Sequence, residues 1–169
     1  MPKEIFDIVD EYDQVIGQLT RAEVHRLRLR HRAIHILVFN RKGKLFLQKR
    51  SQLKDCNPGV WCSSVSGHVD SGETYDDCTM REAYEELGLK LDNLPTRLFK
   101  INACAETGEE FVWVYRYEAE GPFILQSDEI DDGAWFDAKE IDDWIVSRPG
   151  GLSSSLRLIW RTLTRMGVG

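Results

Sequence analysis

The amino-acid sequence predicts an α/β fold in which a central sheet lies between helices. Ala33 to Phe39 is apolar at every position except His35, as a strand covered on both faces must be. Thr74 to Leu87 has helical periodicity, with a capping residue at its start and Gly88 just past its end. Short alternating segments bounded by turn residues surround both, and two further helical stretches follow.

The elements can be justified in order. Ile5 to Val9 and Val15 to Leu19 alternate around Glu11 to Gln14 and predict a hairpin, followed by a short helix that Thr20 and Glu23 cap reciprocally. After Ala33 to Phe39, the turn Arg41 to Lys44 returns the chain into Leu45 to Lys49. Pro58 and Gly59 predict a turn, Trp61 a core position, and Val60 to Val65 one short strand. The helix from Thr74 is capped by the Thr74 side chain, has Asp76 and Asp77 in its first turn, and would bury Met80, Ala83, Tyr84 and Leu87. Arg97 to Ala105, Glu110 to Ala119 and Gly133 to Phe136 read as strands. Ala138 to Val146 and Ser154 to Met166 read as helices that Asp137 and Ser153 cap.

At 169 residues the chain is long enough for one core and short for two. Its net charge of −6 argues against bulk binding of nucleic acid or of an anionic membrane. With no apolar run of membrane-spanning length and no signal core at MPKEIFDIVDEYD, a soluble, cytoplasmic protein is expected. Cys56, Cys62, Cys78 and Cys104 show no CxxC pairing, so reduced thiols and no cysteine zinc site are expected.

The chemistry concentrates in Glu82, Glu85 and Glu86. On a helix these residues share one side, where like charges repel and carboxylates near the C-terminus oppose the dipole. Together that costs on the order of 1 kcal/mol. A hard divalent cation reverses the sign of both effects, since Mg²⁺ takes carboxylate, phosphate and water oxygens. A solvated acidic face is the bland alternative for any lone pair of glutamates. The spacing decides between them. Gly67, Glu73, Arg81, Glu82, Ala83, Glu85, Glu86, Gly88 and Leu89 match GX5EX7REUXEEXGU, where U is apolar, and Ala83 is the one loose fit. A chance match is on the order of 10⁻⁷ from average residue usage.

This run resembles the signature of the Nudix hydrolase superfamily. The resemblance implies an α/β/α sandwich with a central mixed sheet, and one Nudix domain over 1–169 that carries an N-terminal hairpin extension at about 1–30. It also implies Mg²⁺, or Mn²⁺, held by Glu82, Glu85 and Glu86 with a backbone carbonyl at or before Gly67. Glu73 would pair with Arg81 and tie the loop to the helix, against the simpler i, i+4 pair of Arg81 with Glu85. The general base varies in position across the superfamily, with Glu85 the first choice in the motif and Glu110 the downstream candidate.

The preceding segment, LFLQKRSQLKDCNPGVWCSSVSGHVD, looks like the subgroup related to isopentenyl-diphosphate isomerase. There the residues matching Arg50 and Lys54 contact the diphosphate, a role that suits the planar fork of arginine. His68 reads either as a contact to substrate or as a structural hydrogen bond, and His35 as a satisfied core histidine. The isomerases place a catalytic cysteine where this chain has Ser66, and a hydroxyl is a far weaker acid than a thiol. They also use several histidines and later glutamates. His25, His31 and His68 could echo these, although the spacing of the first two differs from expectation. The sequence therefore favours a hydrolase acting on a small diphosphate, a nucleoside diphosphate linked to another group, over an isomerase or a non-catalytic binding module. Asp128 and Glu129 read as solvated, and the C-terminal helix, with Leu156, Ile159, Trp160 and Leu163, could pack within the chain or against a copy in a homodimer.

Overall fold

A computed structural model describes residues 3–167. The N-terminal hairpin is β1 (Ile5–Val9) and β2 (Val15–Thr20), which form a separate two-stranded sheet, followed by α1 (Arg21–Arg26). Thr20 and Glu23 form the reciprocal cap expected at α1. Then come β3 (His31–Phe39), β4 (Leu45–Arg50), β5 (Trp61–Cys62), β6 (Val65–His68) and α2 (Tyr75–Leu87). The second half contains β7 (Thr96–Ile101), β8 (Glu110–Glu118), β9 (Ile130–Phe136), α3 (Ala138–Ser147) and α4 (Ser154–Arg165).

Seven strands form a mixed sheet about β3, which runs parallel to β8 and antiparallel to β4 and β6. Alternation along β3 sends Ile34, Ile36 and Val38 toward α2, and Ala33, Leu37 and Phe39 toward α3 and α4. Each fully buried aliphatic side chain contributes roughly 1.5–3 kcal/mol, so these two clusters hold the α/β/α sandwich together. The C-terminal helix buries Leu156, Ile159, Trp160 and Leu163 within the chain, beside Ile141 of α3.

Three expectations need correction. The strand expected over Val60 to Val65 is two strands, because β5 pairs with β4 while β6 pairs with β3. Ser64 stands at the switch: its hydroxyl receives Val38 N–H at 2.9 Å and donates to the Phe46 carbonyl, serving two strands that barely pair with each other there. Next, β7 stops at Ile101, and a short 3₁₀ turn at Ala105–Thr107 takes the chain into β8. On α2, Tyr84 is 63% exposed, and the buried set is Cys78, Thr79, Ala83, Glu86 and Leu87. The helix is rotated so that one of its glutamates faces inward.

Candidate active site

The loop between β6 and α2 is folded by its own polar groups. Thr74 accepts the Asp77 N–H at 3.0 Å to start α2, and Gly88, with φ 63°, ends it in the left-handed conformation. Arg81 reaches back from the helix and grips both oxygens of Glu73, at 2.7 and 2.9 Å, while a further N–H meets the His68 carbonyl at 3.2 Å. The expected tie between loop and helix is therefore present, and so is the i, i+4 contact, since Arg81 also donates to Glu82 at 2.9 Å and Glu85 at 3.1 Å. Burial would raise the Glu73 carboxyl, but the Arg81 hydrogen bond, the Asp70 N–H and the Arg81 charge together hold it below its ordinary value.

The three motif glutamates have different environments. Glu86 is only 6% exposed, and its Oε1 receives the Gln48 side-chain amide at 2.9 Å and the Ser66 N–H at 3.1 Å. Burial, joined by the charge of Glu82, raises its carboxyl well above the ordinary value. Burial, with Glu85 as a like charge, pushes Glu82 up to about 7 against the pull of Arg81. The Glu85 side chain is 55% exposed. Gly67 lies over the helix so closely that a Cβ there would overlap the Glu82 carboxylate.

A second constellation is assembled by strand register. His31 of β3 stands opposite Glu110 of β8, while Ala33, two residues on, stands opposite His68 of β6. Glu110 Oε1 lies 2.9 Å from His68 Nε2 and 3.4 Å from His31 Nε2. With His25 from α1, His31 and His68 offer ligand atoms that all lie within 4.8 Å of one another, the one such group among the described residues. Burial would raise Glu110, but the two histidines hold it well below the usual carboxylate range. Burial and its histidine neighbours push His25 down to about 4. The spacing of His25 and His31 in sequence is thus compatible with a shared site, because a helix and a strand deliver them from different directions. His35 lies beside this group without joining it, paired with the Ser63 hydroxyl at 2.8 Å as a core histidine.

One cavity of about 1190 Å³ connects both constellations. It is lined by Glu82, Glu85 and Glu86, by His25, His68 and Glu110, and by Arg50 and Lys54. Arg50 donates from Nε to the Cys56 carbonyl, and Lys54 Nζ lies 2.7 Å from Glu129. Ser66 and Cys62 both line the cavity, Cys62 with only 6% exposure and with its thiol pushed up by burial. Sequence reasoning missed Gln48 as the partner of Glu86. The signal was a lone amide at the inward position of an otherwise apolar strand, LFLQ.

Comparison with known proteins agrees with this geometry. The NUDIX domain family model matches residues 29–153. A Nudix hydrolase of Yersinia pestis, itself uncharacterized, is 39% identical over 143 residues, 82% of this chain and 75% of that protein. An isopentenyl-diphosphate Delta-isomerase of Photorhabdus laumondii is 31% identical over 151 residues, 86% of this chain and 84% of that one. A crystal structure from Deinococcus radiodurans superimposes with a TM-score of 0.83 at 29% identity, covering 94% of this chain and 98% of its own. With the complete glutamate helix in place, the chain belongs to the Nudix family, as a hydrolase of phosphoric anhydrides.

Proposed function

We propose that the enzyme cleaves the diphosphate linkage of a nucleoside diphosphate joined to another group, using Mg²⁺ or Mn²⁺ at Glu82, Glu85 and Glu86. The observation that carries this is Glu86. A carboxylate 6% exposed beside a second, partly buried carboxylate is costly as it stands, and a hard cation is the partner that offsets the cost. The donor set fits such an ion, being carboxylate oxygens on one helix with the Gly67 backbone laid closely over Glu82. When bound, the ion supplies charge neutralisation of the diphosphate and acidifies a water.

The remaining work belongs to the chain. Gln48 and the Ser66 N–H fix the direction of Glu86, and Arg81, locked by Glu73, fixes Glu82 and Glu85. Arg50 and Lys54 present cations to the same cavity, where diphosphate oxygens would be received, and His68 stands at the start of the motif loop. A second reading, isomerisation of an allylic diphosphate, is favoured by the cluster of His25, His31, His68 and Glu110. It is disfavoured by Ser66 in place of the cysteine.

The test is an assay with Mg²⁺ over nucleoside diphosphate sugars, dinucleotides, nucleoside triphosphates and isopentenyl diphosphate. Anhydride cleavage that Glu86→Gln abolishes while the variant stays folded is the expected result. Wild-type rates in Glu86→Gln at saturating Mg²⁺ would refute the site, and double-bond migration alone would reverse the choice of reaction.

A further inference from the structure

The two glutamates expected to accept the proton are both tied up. Glu85 receives Arg81, and Glu110 is paired with His68 at 2.9 Å and lies 3.4 Å from His31. Glu129, on the turn before β9, is engaged differently, because its partner Lys54 is a cation that a diphosphate would itself recruit. The Glu129 carbonyl receives the Ser51 N–H at 2.9 Å, at the start of the loop that carries Lys54. On the other side, Glu129 N–H bonds Gln126 O at 2.9 Å, and Gln126 N–H bonds the Glu86 carbonyl at 3.1 Å. The turn is thus fastened both to the Lys54 loop and to the last turn of α2, and Glu129 lines the same cavity as Glu82, Glu85 and Glu86. Its negative charge is felt at both Glu82 and Glu86. The other charged groups nearby are Arg50 from the end of β4, Asp128 from its own turn and Asp131 from the start of β9, with Asp131 receiving the Gln52 N–H at 3.1 Å.

We propose that Glu129 is the proton acceptor of the hydrolysis, and that Lys54 moves from Glu129 to the diphosphate when substrate binds. The inference rests on the hydrolase reading. In the free enzyme, Lys54 shields Glu129 and offsets its charge. A diphosphate oxygen competes for the ammonium, and Glu129 is left unpaired only when substrate is present. Water then forms its O–P bond at one phosphorus as the bridging P–O bond breaks, its electron pair leaving on the second phosphate. The water proton passes to a Glu129 oxygen and from there to solvent at the cavity mouth, where the Glu129 side chain is 41% exposed.

This exchange makes binding and turnover respond in opposite directions. In Glu129→Gln, Lys54 is free in advance, so calorimetry with methylenediphosphonate and Mg²⁺ should show tighter binding than in wild type. That gain should vanish when Lys54→Met is added, which separates the exchange from simple loss of a negative charge. On the hydrolysed substrate, kcat of Glu129→Gln should fall on the order of 10²–10⁴-fold with no rise in KM, and formate should partly restore Glu129→Ala. Unchanged diphosphonate affinity in Glu129→Gln would overturn the exchange. An unchanged kcat, or a loss confined to KM, would overturn the role as proton acceptor. If wild type cleaves no anhydride, the hydrolase reading and the proton role fail together, while the binding measurement still decides the exchange.

Discussion

Glu86 and His35 are buried on neighbouring elements of the same site, and burial moves their titrations in opposite senses. His35 is pushed down to about 4 from an ordinary 6.5, so the unfolded chain binds the extra proton between those values. Its contribution to stability is whole above pH 6.5 and is lost as pH falls toward about 4. Glu86 is raised above 4.5, so without metal its contribution is present below that value and is lost as pH rises. Metal-free Glu86→Gln should therefore unfold at a higher temperature than wild type at pH 8. The difference should shrink toward zero near pH 4.5, and saturating Mg²⁺ should cancel it by stabilising only the wild type. Thermal melts at the two pH values, with and without Mg²⁺, check this, and a metal-free variant no more stable than wild type at pH 8 would contradict it. The amide retains the oxygen that accepts from Gln48 and Ser66, so the substitution changes charge with little change of shape.

The relation of α2 to the loop above it explains why the motif needs a glycine at its start. Gly67 pairs with Ile34 on β3 and covers Glu82, and there is no room for a side chain between them. Gly67→Ala should displace the Glu82 carboxylate, weaken Mg²⁺ binding by at least tenfold in titration calorimetry, and leave the sheet intact by circular dichroism. Metal binding equal to wild type would show that the close approach is not needed. Much of this element was legible in advance: the caps at Thr74 and Gly88 and the three glutamates are short-range patterns in one segment, and the Glu73–Arg81 tie was implied by the family resemblance. The inward rotation of Glu86 was not legible, because a 3.6-residue period gives a face but does not say that Gln48 of another strand awaits a carboxylate there. The division of β5 from β6 was hidden for a related reason. It follows from Ser64 bonding to two distant strands, and neither contact leaves a trace in local alternation. Register likewise decided the histidine group, since His31 and Glu110 meet only through a parallel pairing of strands far apart in sequence.

At the scale of the molecule, the N-terminal hairpin is fastened to the motif loop rather than merely appended to the sheet. Asp7 of β1 receives the Ser71 hydroxyl at 2.8 Å and the Gly72 N–H at 3.2 Å, and Ile5 O receives Ser71 N–H at 2.8 Å. Asp13, in the turn between β1 and β2, is the deeper anchor. It is 7% exposed and receives Arg32 Nε at 2.6 Å, Tyr75 OH at 2.7 Å and Lys100 Nζ at 2.6 Å, which joins the hairpin to β3, α2 and β7. Burial would raise the Asp13 carboxyl, but these three donors outweigh it and hold it below its ordinary value. The stability it contributes is therefore present above pH about 3.8 and is lost as pH falls through the lowered folded value. Asp13→Ala leaves Arg32 and Lys100 half-buried without their carboxylate, a change that costs roughly 3–5 kcal/mol when a buried ion pair loses one partner. Because these side chains retain some exposure, 19% for Arg32 and 30% for Lys100, the loss should fall toward the lower end of that range. Urea unfolding at pH 7 measures it directly. Since Tyr75 opens the helix that carries Glu82, Glu85 and Glu86, the same variant should weaken Mg²⁺ binding at a urea concentration where it is still folded. A stable variant, or one that loses stability with unaltered metal affinity, would show that the hairpin and the glutamate helix are not coupled through Asp13.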